Sequence, residues 1–348
     1  MARRDGAGVG GGGDEKDGAG EVDQPAGADQ PAGVEQRVGA DPPAGADAAP
    51  DGIGRPAPGR GRAAARLRAL TDGGGDGKFG DLGTRLATAA VLTPLALGML
   101  WLGGAAVAVL LTLLAAILAA EWRSVTAHGG GMLQDTDPVV VAAAPMALFT
   151  AHVFTPFIGL STLAVVAGVG LLLDWRRGWY ARGLWALLGT LLIGVGTIAF
   201  LWLRDTDPFG PLAALWIVLV VVAADVGGYF AGRLIGGPKL WPSVSPKKTW
   251  AGLGGAVLLA TLAGWLFSGA TTGTFFEEVC TVSAAAALMA TFGDMGESAV
   301  KRHFGVKDSG TLLPGHGGAM DRFDGLLAAT LVVAAVTLWR GQTVFIWS

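Results

Sequence analysis

Between Ser298 and Asp324 the sequence reads SAVKRHFGVKDSGTLLPGHGGAMDRFD. These 27 residues hold four cations (Lys301, Arg302, Lys307, Arg322), three carboxylates (Asp308, Asp321, Asp324) and His316 inside a Pro-Gly-His-Gly-Gly turn. Carboxylates at this density suit a divalent metal carrying a phosphorylated substrate, because hard cations take oxygen ligands and usually keep some phosphate oxygens. Lys and Arg suit phosphate oxygens, and backbone N–H groups freed by Gly317 and Gly318 can form an anion-binding nest. His316 has two readings, a proton shuttle or a residue that steadies the turn or hydrogen-bonds phosphate. The plainer alternative for the whole stretch is a topology-setting loop with incidental acids. So many charges and tight-turn glycines between two apolar runs, Val279–Gly293 and Phe323–Trp339, weigh against it.

Three further stretches carry chemistry. Asp225 follows the apolar run LWIVLVVVAA, so it lies at or inside a membrane, where a carboxylate is costly and marks a functional-site candidate. The segment GGPKLWPSVSPKKTWAGLGG, residues 236–255, offers Lys239, Lys247 and Lys248 with the hydroxyls of Ser243, Ser245 and Thr249. That set suits a triphosphate or a lipid phosphate, and Pro242 and Pro246 stop a helix from forming across it. Finally, Asp294 and Glu297 stand three residues apart and would share a face of a helix.

The elements that position these residues read as transmembrane helices. Of 348 residues 51% are hydrophobic and only 15% charged, well below the roughly 25% charged of a soluble domain. A span needs about 20 mostly apolar residues. The candidates are approximately 86–102, 105–121, 138–155, 158–174, 183–203, 211–230, 250–269, 279–294 and 323–340, about nine in all. The fold class expected is therefore an all-α polytopic membrane protein, 81–348. It is preceded by a disordered Gly/Ala/Pro/Asp-rich extension, 1–80, too poor in large apolar residues to offset its ordering entropy. Lys and Arg concentrate in alternate connections, those that carry Arg123, Arg176, Arg233, Lys247 and Lys301, on the side of the N-terminal arginines. The positive-inside rule puts that side, with every motif loop, in the cytoplasm. Several tryptophans near predicted span ends, Trp122, Trp175, Trp179 and Trp250 among them, would form interfacial belts. A net charge of −3 gives no basic field for nucleic acid. The single Cys280 excludes an intrachain disulfide and reads as a small packing residue.

The Ser298–Asp324 stretch resembles the signature of the phosphatidate cytidylyltransferases, the CDP-diacylglycerol synthases. Ser298, Lys301-Arg302, Lys307-Asp308, Gly310, Pro314, His316-Gly317-Gly318, Asp321-Arg322 and Asp324 all fill that family's constrained positions. Ser-Pro-Lys-Lys-Thr at 245–249 is similar to a second family element, with Ala251 where many members carry Glu. The element Gly293-Asp294-x-x-Glu297-Ser298 is similar to a third. Gly325 stands where Ser is usual after the final Asp.

The resemblance implies a plasma-membrane enzyme that converts CTP and phosphatidate into CDP-diacylglycerol and pyrophosphate with Mg2+, alone or with a second metal ion. It implies Asp294 and Asp321 as metal ligands, with Asp324 and Asp225 as further candidates. Lys301, Arg302, Lys307 and Arg322 would hold phosphates, assisted by Asp308 and His316. Ser245, Lys247, Lys248, Thr249, Gly317 and Gly318 would bind substrate. Its partners would be CTP, phosphatidic acid and membrane lipids; a homodimer is compatible, though no residue demonstrates one. Two other readings stand beside it, a CTP-dependent polyprenol kinase and an ion-coupled transporter that uses Asp225 and Asp294. A CDP-alcohol phosphatidyltransferase fails, because Asp324-Gly325 is not followed by Ala-Arg or by a later Asp.

Overall fold

The computed structural model describes residues 90–126, 138–206, 208–273, 277–310 and 318–345. The expected extension 1–80, His316 and Gly317 lie outside the described residues. Among the described residues nine helices follow in chain order: α1 Ala90–Leu102, α2 Gly104–Thr126, α3 Pro138–Val153, α4 Pro156–Arg176, α5 Tyr180–Asp205, α6 Gly210–Leu234, α7 Trp250–Thr272, α8 Glu277–His303 and α9 Met320–Arg340. Each expected span falls on one of them. Among the described residues seven helices, α2 and α4 to α9, are long and apolar enough to cross a membrane, and α1 and α3 are shorter.

The helices overrun the apolar spans at the ends that carry charge. The predicted sixth and eighth spans stop at 230 and 294, whereas α6 runs to Leu234 and α8 to His303. Asp225, Asp294, Glu297 and Lys301 therefore sit on rigid helix and not on loops, which fixes their directions. Between α6 and α7 the proline-containing segment folds as a two-stranded antiparallel hairpin, β1 Lys239–Trp241 and β2 Ser245–Thr249. Each proline is placed where its missing N–H costs little: Pro242 follows β1, and Pro246 lies within the exposed part of β2. At the end of β2 the Thr249 hydroxyl accepts the Gly252 amide at 3.0 Å and so caps α7.

Small residues set the helix spacing. A Cβ on Gly227 of α6 would run into the Gly255 carbonyl of α7, and one on Gly255 would stand 2.6 Å from the Gly227 carbonyl oxygen. Such contacts let two backbones touch, the usual basis of helix association in lipid. Helices α8 and α9 close in the same way, since a Cβ on Gly293 would lie 2.6 Å from the Ala328 Cβ. Gly325, where the resembling family has Ser, packs against Ala290, whose carbonyl oxygen would be 3.3 Å from an added Cβ. Trp216, fully buried on α6, donates its indole N–H to Ser283 of α8 at 3.1 Å and anchors the core between them.

Two expectations about individual residues need correction. Trp122 does not belong to an interfacial belt: it is 7% exposed, with its indole N–H on the Trp185 carbonyl at 2.8 Å. Trp175, Trp179 and Trp250 are exposed, as a belt requires. Arg123 is not a solvated topology cation; it is fully buried and paired with the equally buried Asp174 at 3.3 Å, which ties α2 to α4. Cys280 is partly buried.

Candidate active site

The sequence-selected charges gather at one end of the bundle, where α2, α6, α8, α9 and the hairpin meet. They divide between an open cleft and a buried cluster.

The cleft, about 520 Å3, lies between α6, the hairpin, α7 and α8. Asp225 and Asp294 stand on its walls with Arg233, Lys239, Lys247 and Lys248. Lys248 is the hub. Its ammonium lies 2.7 Å from Asp294 Oδ2 and donates to the Thr291 carbonyl at 3.0 Å, pinning the end of the hairpin to α8. The same ammonium attracts Asp225 and Asp324, and both of those carboxylates are repelled by Asp294. Asp225 on α6 and Asp324 on α9 thus feel the Lys248–Asp294 pair at longer range, with Arg322 as a further cation for Asp225 and Lys301 for Asp324. The other oxygen of Asp294 accepts the Ser298 hydroxyl at 3.4 Å, one helical turn on.

The buried cluster surrounds Lys301. This side chain, expected to hold phosphate, is 8% exposed; it pairs with Glu297 at 2.5 Å and with Asp321. Asp321 Oδ2 also accepts the Ser309 amide at 3.3 Å. Lys301 therefore positions Asp321. Asp294 and Glu297, expected on one face, have opposite surroundings: the Asp294 side chain is 43% exposed to the cleft, and that of Glu297 is 3% exposed. A buried carboxylate needs such a partner, because an isolated one costs several kcal/mol of desolvation.

The other selected residues divide as follows. Arg302, Lys307, Asp308 and Arg322 are exposed at the edge of this end, with Arg302 donating to the Val306 carbonyl at 3.0 Å. Ser245 is partly buried in β2, and Thr249 is taken up in capping α7. Gly318 is buried where an added Cβ would collide with the Ser309 hydroxyl and stand 2.9 Å from Asp321 Oδ2. Its lack of a side chain serves this close approach.

Among the described residues no three Asp, Glu, His or Cys side chains are grouped closely enough to hold a metal ion by themselves. Magnesium seldom uses such a cage; it keeps waters and substrate phosphates and needs one or two carboxylates. Asp294, exposed to the cleft that Asp225 also lines, fits that second pattern and not a site built from protein alone.

Sequence reasoning passed over Glu121. It is fully buried on α2, yet it accepts the Ala319 amide at 3.0 Å, the Met320 amide at 2.7 Å and the Ser309 hydroxyl at 3.3 Å. Two signals pointed to it: a lone acid at the end of an apolar span, and a helix starting after Gly-Gly-Ala with no side chain able to cap it.

A model of the cytidylyltransferase family matches residues 83–339. The phosphatidate cytidylyltransferase of Brucella suis biovar 1 (strain 1330) is 34% identical over 258 residues, covering 73% of this chain and 92% of the relative. That of Helicobacter pylori (strain ATCC 700392 / 26695) is 41% identical over 166 residues, 46% of this chain and 61% of the relative. That of Bacillus subtilis (strain 168) is 36% identical over 141 residues, 40% of this chain and 52% of the relative. The match spans α1 to α9 and takes in both the cleft and the buried cluster. By its motifs and by these matches, the chain belongs to the cytidylyltransferase family.

Proposed function

We propose that the chain is an integral-membrane phosphatidate cytidylyltransferase that makes CDP-diacylglycerol and pyrophosphate from CTP and phosphatidate. The observation that supports this most directly is the Lys248–Asp294 pair in a cleft that Asp225, Arg233, Lys239 and Lys247 also line. A transporter would need a pathway through the bundle, whereas these charges collect at one end.

In the reaction a phosphate oxygen of the lipid attacks the α-phosphorus of CTP. The bond from the α-phosphorus to the bridging oxygen breaks, and its electron pair leaves on pyrophosphate. A phosphomonoester is largely ionised at pH 7, its second pKa being near 6, so a strong general base is not required. The difficulty is to hold two polyanions together. Arg233, Lys239 and Lys247 would neutralise the triphosphate in the cleft, and donors fixed before the substrates arrive avoid reorganisation during the reaction. Asp294 and Asp321, with Asp225 and Asp324, would hold Mg2+, which supplies Lewis-acid polarisation of phosphoryl oxygens and charge neutralisation when bound. Lys301 and the Ser309 amide would keep Asp321 in place. The lipid tails would stay in the bilayer of the plasma membrane, and the positive-inside bias argues for an N-terminus and cleft facing the cytoplasm.

The test is label transfer by the purified full chain in mixed micelles with phosphatidate and Mg2+, using CTP labelled at the α- or the γ-phosphate. Label from the α-position should enter the lipid, label from the γ-position should not, and EDTA should stop transfer. Entry of γ-label would mean a lipid kinase, and entry of neither would refute the reading.

A further inference from the structure

We infer that Glu121 is the positioning residue that closes the base of the signature loop and, through Ser309, sets the place of Asp321. The inference rests on the proposed role of Asp321 in the reaction.

The carboxylate is fully buried, nearly 200 residues distant in sequence from its partners, and holds groups on both sides of residues 311–317. On one side it takes the Ser309 hydroxyl; on the other it takes the Ala319 and Met320 amides. Ala319 is the N-cap of α9 and has no side chain able to accept a hydrogen bond. The acceptor that a helix start requires is therefore supplied from α2. A buried negative charge is tolerated there because the helix dipole and three donors compensate it.

Two consequences follow for the site. Ser309 uses both of its donors: its hydroxyl goes to Glu121 and its amide to Asp321, so a shift of the carboxylate passes to Asp321 through one residue. And the first amides of α9, which a glycine-rich approach would suggest for substrate phosphate, are already occupied by the protein's own anion. Substrate phosphate is thereby directed to the cations of the cleft, and Glu121 touches neither substrate. Gly310 belongs to the same fit, since a Cβ there would lie 2.6 Å from Glu121 Oε1.

Glu121→Gln keeps the side-chain length but turns one acceptor into a donor facing a donor. In the full chain we expect a monodisperse protein whose KM for CTP stays within twofold and whose kcat falls at least tenfold. Amide exchange read by mass spectrometry over 309–310 and 318–322 should rise at least tenfold, with α6 and α7 unchanged. Ser309→Ala should lower kcat in the same way, and the double variant should be no slower than Glu121→Gln alone. A wild-type kcat, unchanged exchange over those segments, or a KM for CTP that rises with the fall in kcat would each overturn the inference. If Glu121→Gln does not fold, Ser309→Ala decides: an unchanged kcat there overturns it. The exchange result stands apart from catalysis, so a wild-type chain without transferase activity would count against the proposed function while exchange still judged the role of Glu121.

Discussion

Replacing Lys301 by Met should be the most damaging single change at the charged end of the bundle. The ammonium sits between Glu297 and Asp321, with side-chain exposures of 10% for Lys301, 3% for Glu297 and 21% for Asp321. Met matches the length of the stem but leaves two carboxylates close together without their shared cation. Removing one partner of a buried pair costs about 3–5 kcal/mol, most of it the desolvation of the charge left behind. Asp321 keeps some water and the Ser309 amide, so the lower end, about 3 kcal/mol, is expected. Adding Glu297→Gln removes the stranded charge and should restore at least about 1 kcal/mol, since contacting residues show coupling of about 0.5–3 kcal/mol. Unfolding free energies of the wild type, both single variants and the double variant, measured by SDS titration in mixed micelles, give the cycle. A loss below about 1 kcal/mol with additive effects would mean that Lys301 is not the buried counter-ion of Glu297 and Asp321.

Two further outcomes follow from the cleft and the loop. Lys248→Met removes the cation paired with Asp294 in the cleft. It should raise the KM for CTP at least tenfold in steady-state kinetics, equivalent to about 1.4 kcal/mol, and a KM within twofold of wild type would take Lys248 out of the site. Gly318→Ala forces a methyl group against the Ser309 hydroxyl and Asp321. Overpacking of this kind costs about 1–3 kcal/mol, so kcat should drop tenfold or more while the chain still folds; a normal kcat would show that the loop can yield.

What could be read from the sequence was what depends on residue type and spacing. Asp225, Lys247, Lys248 and Asp294 were selected as separate motifs, and the structure brings them to one cleft. The helix order was legible because an apolar run of about 20 residues has few alternatives in a membrane. The direction of a side chain was not. Lys301 reads as a phosphate ligand until Asp321 is seen beside it: Glu297, four residues earlier, is a legible helix partner, but an ion pair across 20 residues leaves no local pattern. Arg123 reads as a topology charge, and only Asp174 of α4, 51 residues on, turns it into half of a buried ion pair. Glu121 gave only indirect signals, a lone acid at a span end and a helix start without a cap, because its partners lie nearly 200 residues away and a carboxylate capping a foreign helix has no motif. The hairpin at 239–249 was hidden by its prolines, which exclude helix but permit an exposed strand.

Transfer of α-labelled CTP phosphate into lipid by purified Asp321→Asn, set beside the wild type at matched Mg2+, shows whether the reaction takes place at the charged end of the bundle. The substitution keeps the shape and the Ser309 contact but removes the charge that faces Lys301. The expected result is metal-dependent transfer by the wild type that falls by at least a hundredfold in the variant, with the variant folded and monodisperse. Wild-type transfer by Asp321→Asn would contradict the placement of the reaction at this end of the bundle.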